Sequence, residues 1–91
     1  MEIFYLEVFR MEYRPKGVCA QRINFEIDEN NKVTSVSFYG GCSGNTQGVA
    51  KLVEGMDVNE VIARLDGIKC GFKSTSCPDQ LAQALKAALA D

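Results

Sequence analysis

Near residue 42 the spacing of apolar residues changes from every second position to every third or fourth. A period of two belongs to strands with one buried face, and a period near 3.6 to amphipathic helices. The chain must therefore build a sheet first and lay helices against it. "IFYLEVF" (3–9) is rich in aromatic and branched residues. "VCAQRINFEID" (18–28) puts Ile23, Phe25 and Ile27 on one face and Arg22, Asn24 and Glu26 on the other. "KVTSVSFYG" (32–40) follows with Thr34, Val36 and Phe38 in step. "RPKG" supplies a turn between the first two strands.

Beyond the change, "NTQGVAKLVEG" (45–55) carries Val49, Leu52 and Val53, with Gly55 as a stop signal. "DVNEVIARLDG" (57–67) opens with Asp57 and Glu60 in capping-box spacing and carries Val58, Val61, Ile62 and Leu65. A last helix over 78–90 buries Leu81, Leu85, Ala88 and Leu89. The prediction is a single α+β domain over residues 1–91: a three-stranded antiparallel sheet followed by about three helices packed on one face.

Asn30-Asn31 suits a two-residue hairpin loop, because asparagine tolerates positive φ. The register it sets faces Ile27 to Thr34, Phe25 to Val36 and Ile23 to Phe38, so the apolar faces match. Carried to its end, that ladder opposes Cys19 and Cys42, with Cβ atoms about 4.5–5.5 Å apart.

A net charge of −2 argues against a general nucleic-acid or membrane-surface binder. No run of about 18 apolar residues occurs, and the N-terminus lacks a signal-peptide pattern. A cytoplasmic chain is expected, and disulfides are rare there. Four cysteines among 91 residues then point to metal or redox chemistry. The absence of histidine removes Cys/His zinc sites and Ser-His or Cys-His nucleophile pairs.

The settings of the cysteines add detail. In "STSCPDQLAQAL", Pro78 suits the first helical position and Asp79 complements the dipole, which puts Cys77 at the N-cap. A structural cap alone would more simply be serine, whereas a thiolate would gain from the helix dipole. Cys42 stands in "GGCSGNTQG", a glycine-rich turn before a helix whose N–H groups can cradle an anion. Cys70 lies in a loop between Lys69 and Lys73, close in sequence to Cys77. Strand pairing thus joins one pair and proximity the other. Periodicity does not say whether the two pairs meet, and any one free cysteine can be a small buried hydrophobe.

"TSCPDQLAQAL", with "GVCAQRINFEID", "FYGGCSGNTQG", "LVEGMDV" and "LDGIKCGFKSTSCPDQLA", resembles the TSCPD-domain family over nearly the whole chain. Such domains also extend some ribonucleotide reductases. The resemblance implies an accessory in ribonucleotide reduction or deoxynucleotide metabolism, partnered by a reductase or another metabolic enzyme. A complete reductase does not fit in 91 residues, so independent catalysis is not implied.

The order of elements is also similar to that of IscU/NifU-type iron–sulfur scaffold proteins. Cys19, Cys42 in "YGGC", and Cys77 match the three scaffold cysteines. Gln21 replaces the scaffold's acid, Ser76 its histidine, and the region around "GIKCG" its chaperone-recognition segment. Cys70 is an additional thiol. Together the resemblances imply a metal set of Cys19, Cys42, Cys70 and Cys77 holding zinc or an iron–sulfur cluster. Two other functions stand beside it. One is a thiol-redox accessory using Cys70 and Cys77, and the other is a metal-free module binding a nucleotide or flavin. A homodimer is left open.

Overall fold

The computed structural model of the chain describes residues 8–18, 20–40 and 43–90. Strands β1 (Val8–Tyr13), β2 (Ala20–Asp28) and β3 (Val33–Gly40) form an antiparallel sheet in the order β1-β2-β3. Helices α1 (Ser43–Val53), α2 (Val58–Leu65) and α3 (Cys77–Ala90) follow. This is the expected α+β architecture. The first strand extends past the end of its apolar run at Phe9, because pairing with β2 continues to Tyr13↔Ile23. Residues 3–7 of that predicted strand lie outside the described residues.

The β2–β3 hairpin keeps the expected register only in its middle, where Ile23 faces Phe38 and Phe25 faces Val36. Its loop has three residues rather than two. Asp28 and Lys32 close it, with the Asp28 N–H donating to the Lys32 carbonyl at 2.9 Å. Asn31 takes φ 64°, and its N–H donates to the Asp28 carbonyl at 3.0 Å. A tight turn followed by one left-handed residue is the usual three-residue hairpin loop. The Asp28 carboxylate accepts from the N–H groups of Asn30 and Lys32 and fixes it.

The longer loop shifts Ile27 to face Val33, and a bulge at Thr34 restores the register. Val33 is thereby fully buried and Thr34 exposed, the reverse of the predicted face. Burying valine instead of threonine avoids desolvating a hydroxyl, so the bulge is the cheaper arrangement. Asn31→Ala is expected to cost up to about 1 kcal/mol, because asparagine tolerates the left-handed conformation better than alanine does, while Asn31→Gly is near neutral. Urea unfolding of the two variants measures the difference.

The core lies between one sheet face and the helices. It contains Ile23, Phe25, Ile27, Val33 and Val36 from the sheet, Val53 from α1, Val58 and Val61 from α2, and Leu81 and Leu85 from α3. In α1 the buried positions are Thr46, Ala50 and Val53, with Val49 packed beside them. Leu52 is 78% exposed, so it does not belong to the predicted stripe. Leu89 is likewise 43% exposed, near the end of α3.

The α1–α2 connection docks by backbone onto the start of β3. The Val33 N–H donates to the Met56 carbonyl at 2.8 Å, and the Gly55 N–H to the Val33 carbonyl at 2.6 Å. Asp57 caps α2 through its side chain, accepting from the Asn59 N–H at 2.8 Å. Glu60 pairs with Arg64 one turn on, instead of closing a capping box.

Candidate functional site

The start of α3 answers why a cysteine precedes Pro78 and Asp79. The Gln80 N–H donates to the Ser76 carbonyl at 2.8 Å, which makes Ser76 the N-cap and Cys77 the first helical residue. The Ser76 hydroxyl accepts from the Asp79 N–H at 3.2 Å and donates to the Ile68 carbonyl at 2.7 Å. The predicted cap position is therefore one residue too late. The serine hydroxyl thus takes the Asp79 N–H, a free donor at the helix start that a Cys77 thiolate at the cap would otherwise take. Pro78 sits one position further in, still within the first turn, where its missing N–H leaves no bond unmade.

Asp79 is buried and gathers the surrounding chain. Its carboxylate accepts from the Thr75 hydroxyl, from the Gly67 N–H at 2.6 Å and from the Gln83 amide at 3.2 Å. Burial pushes its pKa upward. The bonds from Thr75, Gly67 and Gln83, helped by the Lys86 charge, outweigh that and hold the carboxyl below the ordinary aspartate range. Gln80 continues the network, donating to the Thr75 hydroxyl at 2.9 Å and accepting from the Lys16 N–H at 3.1 Å. Gly17, at φ 75°, lies against the Thr75 methyl, which would sit 3.2 Å from a Cβ there. The β1–β2 connection, the loop after α2 and the α3 N-terminus are thus tied together by side chains of one motif.

Within "TSCPD", Thr75, Ser76, Pro78 and Asp79 all have structural work. Cys77 is left over, half-buried and unbonded to another cysteine. It lines a pocket of about 130 Å³ together with Cys70, which comes from the preceding loop. Two backbone bonds shape that loop: the Cys70 N–H donates to the Thr75 carbonyl at 3.2 Å, and the Lys73 N–H to the Cys70 carbonyl at 3.0 Å. Gly71, at φ 58°, occupies the first central position of the resulting turn, as a type II′ turn requires. The remaining lining comes from Val18, Phe38, Asn45, Thr46, Val49, Lys73, Ser76 and Pro78.

The structure therefore brings Cys70 and Cys77 to one pocket, as their nearness in sequence suggested. Cys19 and Cys42 lie outside the described residues. Only an unbroken ladder would oppose them. At its last described pair the register shifts, Ala20 facing Gly40 after Arg22 facing Tyr39. Their chain neighbours are informative: Val18 precedes Cys19, and Asn45 and Thr46 belong to the first turn of the helix that follows Cys42. All three line the pocket of Cys70 and Cys77.

Among the described residues no carboxylate lines the pocket, so the donors they offer are thiols, a hydroxyl pair and an amide, with Lys73 as the charged neighbour. Such a set suits soft, thiophilic ions and offers little to magnesium or calcium. Among the described residues, no group of three or more His, Cys, Asp or Glu side chains comes together. Sequence reading passed over Ser76 and Asp79 as the pair that builds the helix start. The Ser-x-x-acid spacing before an apolar run was the available signal.

The family model of the TSCPD domain matches residues 7–89. No curated protein and no solved structure matches the chain. The likeness to the IscU/NifU-type scaffolds is not confirmed by these comparisons. Among the described residues, no helix is long and apolar enough to cross a membrane.

Proposed function

The chain belongs to the TSCPD-domain family, and from that membership and its pocket we propose that it holds a thiolate-bound metal centre. Cys19, Cys42, Cys70 and Cys77 are the ligands in this reading, and zinc or an iron–sulfur cluster is the cargo of the site. The observation that carries it is the meeting of Cys70 and Cys77, from loop and helix, in a pocket that no carboxylate among the described residues lines. Two thiols are half of a tetrahedral zinc set or of a cluster's ligands. Cys19 and Cys42 complete it in this reading: the pocket residue Val18 is next to Cys19 in sequence, and Asn45 and Thr46 follow Cys42 by three and four residues.

Size supports an ion or small cluster over a nucleotide or flavin. The pocket measures about 130 Å³, whereas small-molecule sites span about 300–1,000 Å³. With all four thiolates bound, zinc would tie loop and helix together structurally, whereas an iron–sulfur cluster would supply electron transfer. The chain's own contribution is to hold the thiols at the mouth of a capped helix. A role beside ribonucleotide reductase, or another enzyme of deoxynucleotide metabolism, is supported by the family resemblance and is tested by co-purification with the reductase.

Metal and sulfide analysis of protein purified without oxygen tests the centre. Stoichiometric zinc, or iron with sulfide, is expected in the native chain. Cys77→Ser should reduce it to about a tenth or less, as loss of a ligand does, with far-ultraviolet circular dichroism unchanged. Metal-free native protein with rapidly titrating thiols would replace this reading by redox exchange between Cys70 and Cys77. A co-purified ultraviolet-absorbing or yellow ligand would replace it by nucleotide or flavin binding.

A further inference from the structure

β1 is an edge strand. β2 pairs along one side of it, and among the described residues no strand pairs with the other. An open edge is a template for another strand unless it is covered or blocked. The opposite edge of the sheet is treated differently, since the α1–α2 connection bonds to the start of β3.

The solvent face of β1 carries Arg10 and Glu12, placed symmetrically about Met11. A two-fold axis through Met11, perpendicular to the sheet, lays a second β1 antiparallel beside the first. Arg10 then faces the partner's Glu12, Glu12 faces the partner's Arg10, and Met11 faces itself. Directly opposed residues are the pairs that interact most strongly across strands. Neither charge is used up within its own chain. Arg10 lies 3.0 Å from Glu26 yet its side chain is 82% exposed, and Glu12 stands 3.8 Å from Arg22 and is 46% exposed. The pairing extends these contacts into a row of alternating sign: Glu26, Arg10, the partner's Glu12, the partner's Arg22.

Apolar surface lies under the same edge. Met11 lines a groove of about 430 Å³ whose apolar side is Ile27, Ala88 and the exposed Leu89 and whose polar side is Asp28, Glu29 and Asn31. A perpendicular two-fold keeps the inner faces of both sheets on one side, so the two Met11 residues share that side and the grooves run from them in opposite directions. We propose that β1 is the self-association edge of this protein, joining a second copy in one continuous sheet about an axis at Met11. A foreign strand would need an acid and a base in the same order and spacing. The chain's own β1 meets that requirement.

Charge exchange tests the register. Native protein is expected to sediment as a dimer. Arg10→Glu alone and Glu12→Arg alone should each weaken self-association at least about tenfold, since each sets like charges opposite one another twice. Mixed in equal amounts, the two variants should form a heterodimer, because both opposed pairs are then of opposite sign. Circular dichroism checks folding, because each variant also sets a like charge beside Glu26 or Arg22 in its own chain, a small cost on an exposed face. A monomeric native protein overturns the proposal. So does a single variant as dimeric as the native chain, or a mixture that stays monomeric.

Discussion

Asp79→Ala is expected to destabilise the fold by about 2–4 kcal/mol, the range for leaving several buried polar groups without partners. The substitution strips an acceptor from the Gly67 N–H, the Thr75 hydroxyl and the Gln83 amide together. It also frees the loop after α2 from the start of α3. A domain of this size loses roughly 4–8 °C in Tm for each kcal/mol, so thermal unfolding reads the effect directly. Asp79→Asn keeps the shape and one acceptor and should cost less. A drop below about 0.5 kcal/mol for Asp79→Ala, the range of ordinary surface substitutions, would show that the network is not what holds this end of α3.

The same carboxylate carries a pH dependence. Hydrogen bonding holds its folded-state pKa below the unfolded value, with burial opposing. A depressed carboxyl contributes stability that is fully present above the unfolded pKa, about 3.9 for aspartate. That stability is lost as pH falls through the folded value. Native protein should therefore lose stability steeply on the acid side of about pH 4, where the unfolded chain begins to take up the proton. Asp79→Asn should flatten that part of the profile, read by denaturant midpoints across pH.

Leu81→Ala is expected to cost about 2–5 kcal/mol, the range for emptying a leucine-sized volume in a packed core. Leu81 is fully buried on α3, within the cluster shared with Ile23 and Phe25 of β2 and Val58 and Val61 of α2. Its removal takes apolar area from the contact between helix and sheet, and a thin core has few ways to collapse around the gap. For a domain whose total stability is about 5–15 kcal/mol, this approaches the threshold of folding. Leu52→Ala, on the exposed side of α1, serves as the control and should stay within about 0.5 kcal/mol. Denaturant unfolding of both variants separates burial from hydrophobicity alone.

The motif at the α3 start separates two kinds of information. That a helix begins near Pro78 was legible, because proline, an acid and an apolar repeat are local signals. Its first residue was misplaced by one position. The deciding contacts, from Ser76 to Ile68 and from Asp79 to Gly67, come from the loop between α2 and α3, which has no period to read. Cys77 accordingly looked like a cap, when its distinction is to be the residue of the motif without a capping task.

Periodicity by itself determined the order of strands and helices, the matching faces of Ile23, Phe25, Val36 and Phe38, and the buried faces of α2 and α3 around Val58, Val61, Leu81 and Leu85. These follow from apolar area that must leave water, and from side chains that recur at fixed angles along one element. Tertiary structure alone decided the bulge that buries Val33 in place of Thr34, the exposure of Leu52 and the ionised clamp of Asp79. Each depends on groups distant in sequence competing for the same space or the same hydrogen bond, a contest that no window along the chain contains.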